Sequence, residues 1–281
     1  MPTVAYQGEP GAYSEQAALD FFGAQASPQP RQTFEAVFAS VADGTCENGV
    51  VPVENSLAGS IHRNYDLLMR HELFIVGEVI VRVSHNLITL PGVQLADIRR
   101  VISHWQALDQ CEQTLTRLLP GVERVQVYDT AGSVKILAEE RRTDTAAIAS
   151  QRAATLYGLP ILQAAVEDDA TNYTRFAVLS REPANIAPGA RCKTSIVFAT
   201  RNMPGSLFRA LAVFALRDID LTKIESRPLQ GSPWEYLFYL DFGGNALDEV
   251  SRKALDHLSE QTTVLRVLGS YARAGTDERP A

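Results

Sequence analysis

The sequence is poor in the features that define several large protein classes. It holds three cysteines, Cys46, Cys111 and Cys192, in 281 residues. They lie far apart and no two have metal-ligand spacing. A scattered, odd-numbered set fits a reducing compartment, where cysteine is a small apolar filler, so a cytoplasmic protein is expected. The five histidines, His62, His71, His85, His104 and His257, form no His-x-x-x-His pair, and no metal is expected. No apolar run approaches the length of a membrane span. Residues 1–6 lack a basic flank before an apolar core, which argues against a secretory signal. Basic runs are also missing, and the formal net charge is −7. A nucleic-acid binder needs a basic stripe to neutralise phosphates, so neither nucleic acid nor membrane is an expected partner. Neither G-x-G-x-x-G nor a Walker A loop occurs, and no cofactor is expected.

What the sequence does have is an ordinary apolar share of 46% and enough length for two or three domains. Up to about residue 180, short apolar runs alternate with helical stretches. Strands are expected near residues 4–6, 49–53, 73–83, 87–90, 100–102, 125–127 and 146–149. Helices are expected over 14–22, 34–42 (capped by Thr33), 61–69, 107–119, 132–140 and 152–157. Alternation of this kind predicts an α/β sheet domain. The stretch Arg181-Glu182-Pro183-Ala184-Asn185-Ile186-Ala187-Pro188-Gly189 breaks the pattern and reads as a linker. Beyond it, strands at 194–200, 221–225, 234–242 and 263–271 and helices at 206–217 and 247–259 give the order βαββαβ, a ferredoxin-like arrangement. The last ten residues read as a frayed tail.

Several polar clusters sit where an expected strand ends and a helix begins. Gly8-Glu9-Pro10-Gly11-Ala12-Tyr13-Ser14 is one, with glycines that let a ligand approach the backbone, or simply a tight turn. Asn55 and Ser56 end the strand at 49–53, where ligands bind in open α/β sheets; helix capping needs the same residue types. Thr130 opens a further helix, and Ser103-His104-Trp105-Gln106 repeats the layout. Glu167-Asp168-Asp169 is a charge run that reads as a solvated turn or as a brace for the loop that follows. Asn172-Tyr173-Thr174-Arg175-Phe176 is the most informative stretch. A hydroxyl can give a hydrogen bond to a leaving oxygen, and the adjacent guanidinium can hold a carboxylate at two points. Phe176 supplies part of an apolar wall or packs in the core. In the C-terminal part, Asn202, Gly205, Ser206 and Leu207 open a helix, and Glu225-Ser226-Arg227-Pro228 ends a strand. These are candidates for holding an amino acid.

These motifs, in this order, resemble the prephenate dehydratase family over nearly the whole chain. Asn172-Tyr173-Thr174-Arg175-Phe176 matches the family's Thr-Arg-Phe signature, with support from the stretches at 6–14, 51–60 and 225–228. Two departures are Trp105, where relatives carry proline after Ser-His, and Ser206, where they carry alanine. The resemblance implies a catalytic domain over 1–182 that is similar to type II periplasmic binding proteins. Its first lobe covers about 1–78 and 165–182, and its second about 79–164. It further implies a linker at 183–192, an ACT regulatory domain at 193–271 and a tail at 272–281.

The implied reaction is the decarboxylating dehydration of prephenate to phenylpyruvate, CO2 and water, with L-phenylalanine as effector and a homodimer or homotetramer as assembly. Thr174 would be the principal catalytic residue, with Arg175 on the pyruvyl carboxylate and Asn172 beside them. Asn55, Ser56, Thr130 and Phe176 would bind substrate. Asn202, Gly205, Ser206, Leu207, Glu225, Ser226 and Arg227 would bind effector. The competing expectation is a non-enzymatic sensor of a small acid, which would not need Thr174.

Overall fold

The computed structural model describes residues 1–186, 190–229 and 235–274. Parts of the linker (187–189) and the tail (275–281), and Trp234 of the strand expected at 234–242, lie outside the described residues. In chain order the first elements are β1 (Thr3–Gln7), α1 (Tyr13–Phe22), β2 (Ser27–Arg31), α2 (Phe34–Ala42), β3 (Asn48–Asn55), β4 (Gly59–Ser60), α3 (His62–Arg70) and β5 (Phe74–Arg82). Then come β6 (Asn86–Ile88), β7 (Arg100–Ser103), α4 (Trp105–Asp109), α5 (Glu112–Leu118), β8 (Glu123–Gln126), α6 (Thr130–Glu140), β9 (Thr145–Ala149), α7 (Gln151–Tyr157), β10 (Ile161–Gln163) and β11 (Tyr173–Ser180). The last are β12 (Cys192–Thr200), α8 (Ser206–Ala215), β13 (Leu221–Pro228), β14 (Tyr236–Gly243), α9 (Glu249–Ser259) and β15 (Thr262–Ala272). The fold is mixed α/β, and its strands form sheets of order β2-β1-β3-β11-β5 (with β4 on β3), β10-β6-β9-β7-β8 and β13-β14-β12-β15.

Two compact units result. The first holds residues 1–61 and 80–176, the second residues 62–79 and those from 177 onward. In the first unit β1 pairs in parallel with both β2 and β3. Its second sheet is apolar on both faces. Ala146 and Ile148 pack with Leu108 and Leu115, while Ala147 and Ala149 pack with Val134, Leu137 and Ala153. That is the strand alternation expected when helices cover a sheet on both sides.

Two local departures from the sequence expectation have clear causes. The helix expected at 107–119 is split into α4 and α5. Asp168 accepts hydrogen bonds from the N–H groups of Gln113 and Thr114, both at 2.8 Å, and so supplies a helix start in the middle of the apolar pattern. The run at 167–169 is therefore a brace, although Asp168 and Asp169 are exposed. Glu167 is buried and accepts from His85 N–H at 2.8 Å, and Asp169 holds Thr171 N–H at 2.7 Å. Strand β2, Ser-Pro-Gln-Pro-Arg, carries two prolines and gave no strand pattern. It lies at a sheet edge, and Ser27 N–H and the Arg31 carbonyl bond toward β1. The prolines thus fall at the alternate positions, where no partner needs an N–H.

The second unit shows the βαββαβ order directly. One face of its sheet packs Ile196, Phe198, Leu240 and Phe242 against Val213, Phe214 and Leu258 of the two helices. Each such buried side chain contributes roughly 1.5–3 kcal/mol. The other face carries α3. The rings of Tyr65 and Tyr239 lie 4.7 Å apart, and Tyr239 donates to the Tyr65 carbonyl at 2.8 Å. Arg266 closes the carboxyl end of α3 by donating to the carbonyls of Leu68, His71 and Leu73.

Candidate active site

Asn55, the last residue of β3, stands between two elements of the first unit. Its Oδ1 accepts from the N–H groups of Leu57 (3.1 Å) and Ala58 (2.9 Å). Its Nδ2 faces Asn172 Oδ1 at 2.7 Å, Thr174 Oγ1 at 3.0 Å and the Tyr173 carbonyl at 3.2 Å. Asn172 is fully buried, Thr174 is 8% exposed and Asn55 7%. The Asn172 Nδ2 is buried without a hydrogen-bond partner. Thr174 accepts from Asn55 and, among the described residues, gives its own proton to no protein group. The sequence expectation thus brings together Asn55, Asn172 and Thr174.

Arg175 goes elsewhere. Successive strand residues face opposite sides, and Arg175 pairs with Glu54 on the side away from Thr174. Its Nε and Nη2 both donate to Glu54 Oε2, at 3.1 and 2.7 Å. Adjacency in sequence had suggested one shared site; the pleat separates the hydroxyl from the guanidinium. Phe176 is 2% exposed and belongs to the core, not to a binding wall. Ser56 is also spent. It accepts from Tyr173 N–H at 2.9 Å and donates to the Thr171 carbonyl at 2.8 Å, stitching two chain segments together.

Thr130 lines a cavity of about 130 Å³ with Gln7, Gly11, Ala12, Tyr13, Ser14, Asp129, Ala131 and Ser150. A cavity of about 150 Å³ holds one six-membered ring. Thr174 is not among its lining residues. Gln7 ends β1, however, and Asn55 ends β3, the parallel neighbour. Both strands thus point their carboxyl ends the same way, the side on which open α/β sheets bind ligands, with Asn55 four residues beyond the position opposite Gln7. The amino ends of α1 and α6 border the cavity, and helix starts favour anions. Gln7 and Ser14 line the cavity but are not among the expected site residues; Ser14 stands in the glycine motif and Gln7 immediately precedes it.

Gly11 of that motif is required by packing and also lines the cavity. A Cβ on Gly11 would lie 2.7 Å from Ala153 Cα, and Gly11 has φ +96°. Ser150 caps α7 and donates to the Gly11 carbonyl at 2.7 Å. Asp129 caps α6 through Gly132 N–H at 2.8 Å; burial raises its pKa, against the lowering by the Gly132 and Ala131 N–H groups. His104 caps α4, and burial lowers its pKa. Trp105, beside it, is 54% exposed.

In the second unit the effector candidates divide. Gly205 is the N-cap of α8 with φ +81°. Ser206 supplies no cap; its hydroxyl donates to the Met203 carbonyl at 2.9 Å. Asn202 is exposed and Leu207 is 36% exposed. Glu225 and Arg227 turn toward α3, where they meet His62 Nε2 and Asp66 Oδ2, each at 3.0 Å. Ser226 lies on the opposite face, in register with Phe238.

Strand ends, helix amino ends and a cluster of neutral donors on an α/β scaffold are features that suit a small oxygen-rich anion. The chain matches the prephenate dehydratase family over residues 4–184 and belongs to it. It is 52% identical over 279 residues to arogenate dehydratase/prephenate dehydratase 2, chloroplastic, of Arabidopsis thaliana, covering 95% of this chain and 72% of that protein. Arogenate dehydratase 3, chloroplastic, of the same plant is 49% identical, covering 99% and 69%. Among solved structures, a prephenate dehydratase from Arthrobacter aurescens in complex with L-Phe has TM-score 0.89 and 33% identity, covering 99% of this chain and 92% of that one. A structure described as a novel type of quorum-quenching acylase has TM-score 0.88 and 38% identity, covering 97% and 98%.

These comparisons make the chain an enzyme of this family and set aside the non-enzymatic alternative. They also overturn the cytoplasmic expectation. The plant relatives are named chloroplastic, and scattered cysteines report only a reducing environment, not which compartment provides it.

Proposed function

We propose that the chain removes the ring carboxylate and the 4-hydroxyl of prephenate, giving phenylpyruvate, CO2 and water, and that Thr174 eases the departure of the hydroxyl. The observation that carries this is the Thr174 oxygen, which receives a hydrogen bond from Asn55 and keeps its own proton for an outside acceptor. Aromatisation of the ring supplies the drive, so no strong base is required. A threonine hydroxyl is too weak an acid to hand over a proton outright. It donates a hydrogen bond that strengthens as charge gathers on the leaving oxygen, an effect worth about 3–4 kcal/mol in oxyanion sites. Asn172 Nδ2 adds a second donor. The side-chain carboxylate is assigned to the cavity at the starts of α1 and α6, lined by Gln7, Ser14 and Thr130, where Asp129 already takes the Gly132 N–H. This replaces the sequence-based assignment of that carboxylate to Arg175.

The relatives named arogenate dehydratase favour a second substrate. Arogenate carries an amino group where prephenate carries the ketone, and its leaving groups are the same. The donor cluster serves both. The deciding experiment gives the purified protein each compound separately and reads phenylpyruvate by its absorbance in alkali and phenylalanine by chromatography. Turnover of either supports the reading. Turnover of neither, with acylase activity instead, refutes it and favours the acylase neighbour.

Residues 1–182 are read as two lobes similar to those of periplasmic binding proteins, about 1–78 with 165–182 and about 79–164, and residues 193–271 as the ACT domain. L-phenylalanine binds where residues 202–207 open α8, with Ser226 on the same face of the sheet. Glu225 and Arg227 hold β13 to α3 instead. Regulation requires that phenylalanine favour one of two conformations. Phe208 (76% exposed) and Ile224 (46%) give the second unit apolar surface for pairing, in a homodimer or homotetramer. Sedimentation and activity with and without phenylalanine test both; no change in either removes the regulatory reading.

A further inference from the structure

We infer that Asn55 is a positioning residue that sets the direction of hydrogen bonding at Thr174 and Asn172 and does not itself contact substrate. The inference rests on the reading of Thr174 as a donor. Backbone N–H groups can only donate. Two of them, from Leu57 and Ala58, point at one atom of the Asn55 amide. That atom is therefore the oxygen, and the other is the NH2 group. The NH2 group then dictates what its neighbours present. Asn172 must turn its own oxygen toward Asn55, at 2.7 Å. Its nitrogen is left buried and unpartnered. Thr174 must accept, at 3.0 Å, so its proton points away. The amide of Asn55 is fully occupied at both ends and has no capacity left for a ligand.

Burying an amide nitrogen without a partner is costly. Here it is the consequence of the fixed orientation: the Asn172 amide nitrogen keeps its donors unspent but enclosed, and the Thr174 hydroxyl keeps its own for whatever fills the site. The complementary ligand is an acceptor: a carboxylate or a departing hydroxyl oxygen.

Isosteric replacement separates direction from mere support. In Asn55→Asp the carboxylate still accepts from Leu57 and Ala58 N–H, so the turn survives. The oxygen that replaces Nδ2 can only accept, and it draws in the Thr174 proton and one Asn172 proton. In Asn55→Ala more hydrogen bonds are lost, yet Thr174 remains able to donate. The expected order of kcat on saturating prephenate is wild type, then Ala, then Asp, with Asp down on the order of 100-fold. The expected order of thermal stability is the reverse for the two variants, Asp above Ala. An Asp variant at least as active as Ala, or one altered in KM alone, overturns the inference.

A second measurement does not depend on the Asp variant folding. Asn55→Ala is combined with Thr174→Val. If Asn55 acts through Thr174 and Asn172, the double variant loses less than the product of the two single losses; fully multiplied losses overturn the inference. Thr174→Val alone separates the two ideas. Full activity in that variant removes the donor reading itself, whereas lost activity with multiplied losses removes only the role of Asn55.

Discussion

Replacing Lys193 with methionine tests the energetics of the second unit. Lys193 Nζ lies 2.6 Å from Glu78 Oε2 and 3.4 Å from Asp241 Oδ2, and the three side chains are 8%, 5% and 9% exposed. Asp241 also accepts from Ser195 Oγ at 2.5 Å, and Glu78 from Ala274 N–H at 3.0 Å. In Lys193→Met the two carboxylates keep those donors and lose the cation between them. Breaking a buried pair by removing one partner costs about 3–5 kcal/mol, because the charge left behind is uncompensated. The double variant Lys193→Met with Glu78→Met removes one of the two stranded charges. It is expected to recover at least about 1 kcal/mol of the loss. Urea unfolding followed by circular dichroism gives the midpoint and slope. A cost below about 1 kcal/mol for Lys193→Met, or a double variant less stable than the single, refutes the reasoning.

Three further outcomes are expected. Arg175→Met should lower stability by about 1–2 kcal/mol, the half-exposed Glu54 partner discounting the pair, and change kcat/KM less than about tenfold; a large rise in KM at unchanged stability would return the guanidinium to the substrate. Gly11→Ala should cost roughly 2–4 kcal/mol in unfolding experiments, from its positive φ and the approach of Ala153; an unchanged midpoint would show that the contact with α7 yields freely. Asp129→Asn keeps the cap of α6 and removes the burial penalty on the carboxylate. A raised carboxyl pKa in the folded state means that stability is lost as pH rises through it. The asparagine variant should therefore gain on wild type above that pKa and lose the advantage in acid; melting temperatures across pH 3 to about 7 would show the opposite if the N–H groups outweighed burial.

Much of the architecture was legible because its causes are local. Periodicity marked the helices, Thr33 does cap α2 with its side chain accepting from Ala36 N–H, and the strand-helix order of residues 192–272 follows from alternating apolar residues. The donor cluster was legible only as loose candidates, since Asn55 meets Asn172 across 117 positions. The separation of Thr174 from Arg175 was legible in principle: a strand entering at Tyr173 places neighbours on opposite faces. The prolines of β2 hid an edge strand, and the break between α4 and α5 is set by Asp168, distant in sequence. No pattern in residues 62–70 indicates that α3 covers the sheet of the second unit, because its partners Tyr239 and Arg266 lie far down the chain.

The most direct measurement is kcat of Thr174→Val at saturating prephenate, with folding verified by circular dichroism. The expected result is a loss on the order of 100-fold or more, the worth of one donor at a developing oxyanion. A folded Thr174→Val enzyme within about fivefold of wild type would show that the hydroxyl leaves without help from this residue.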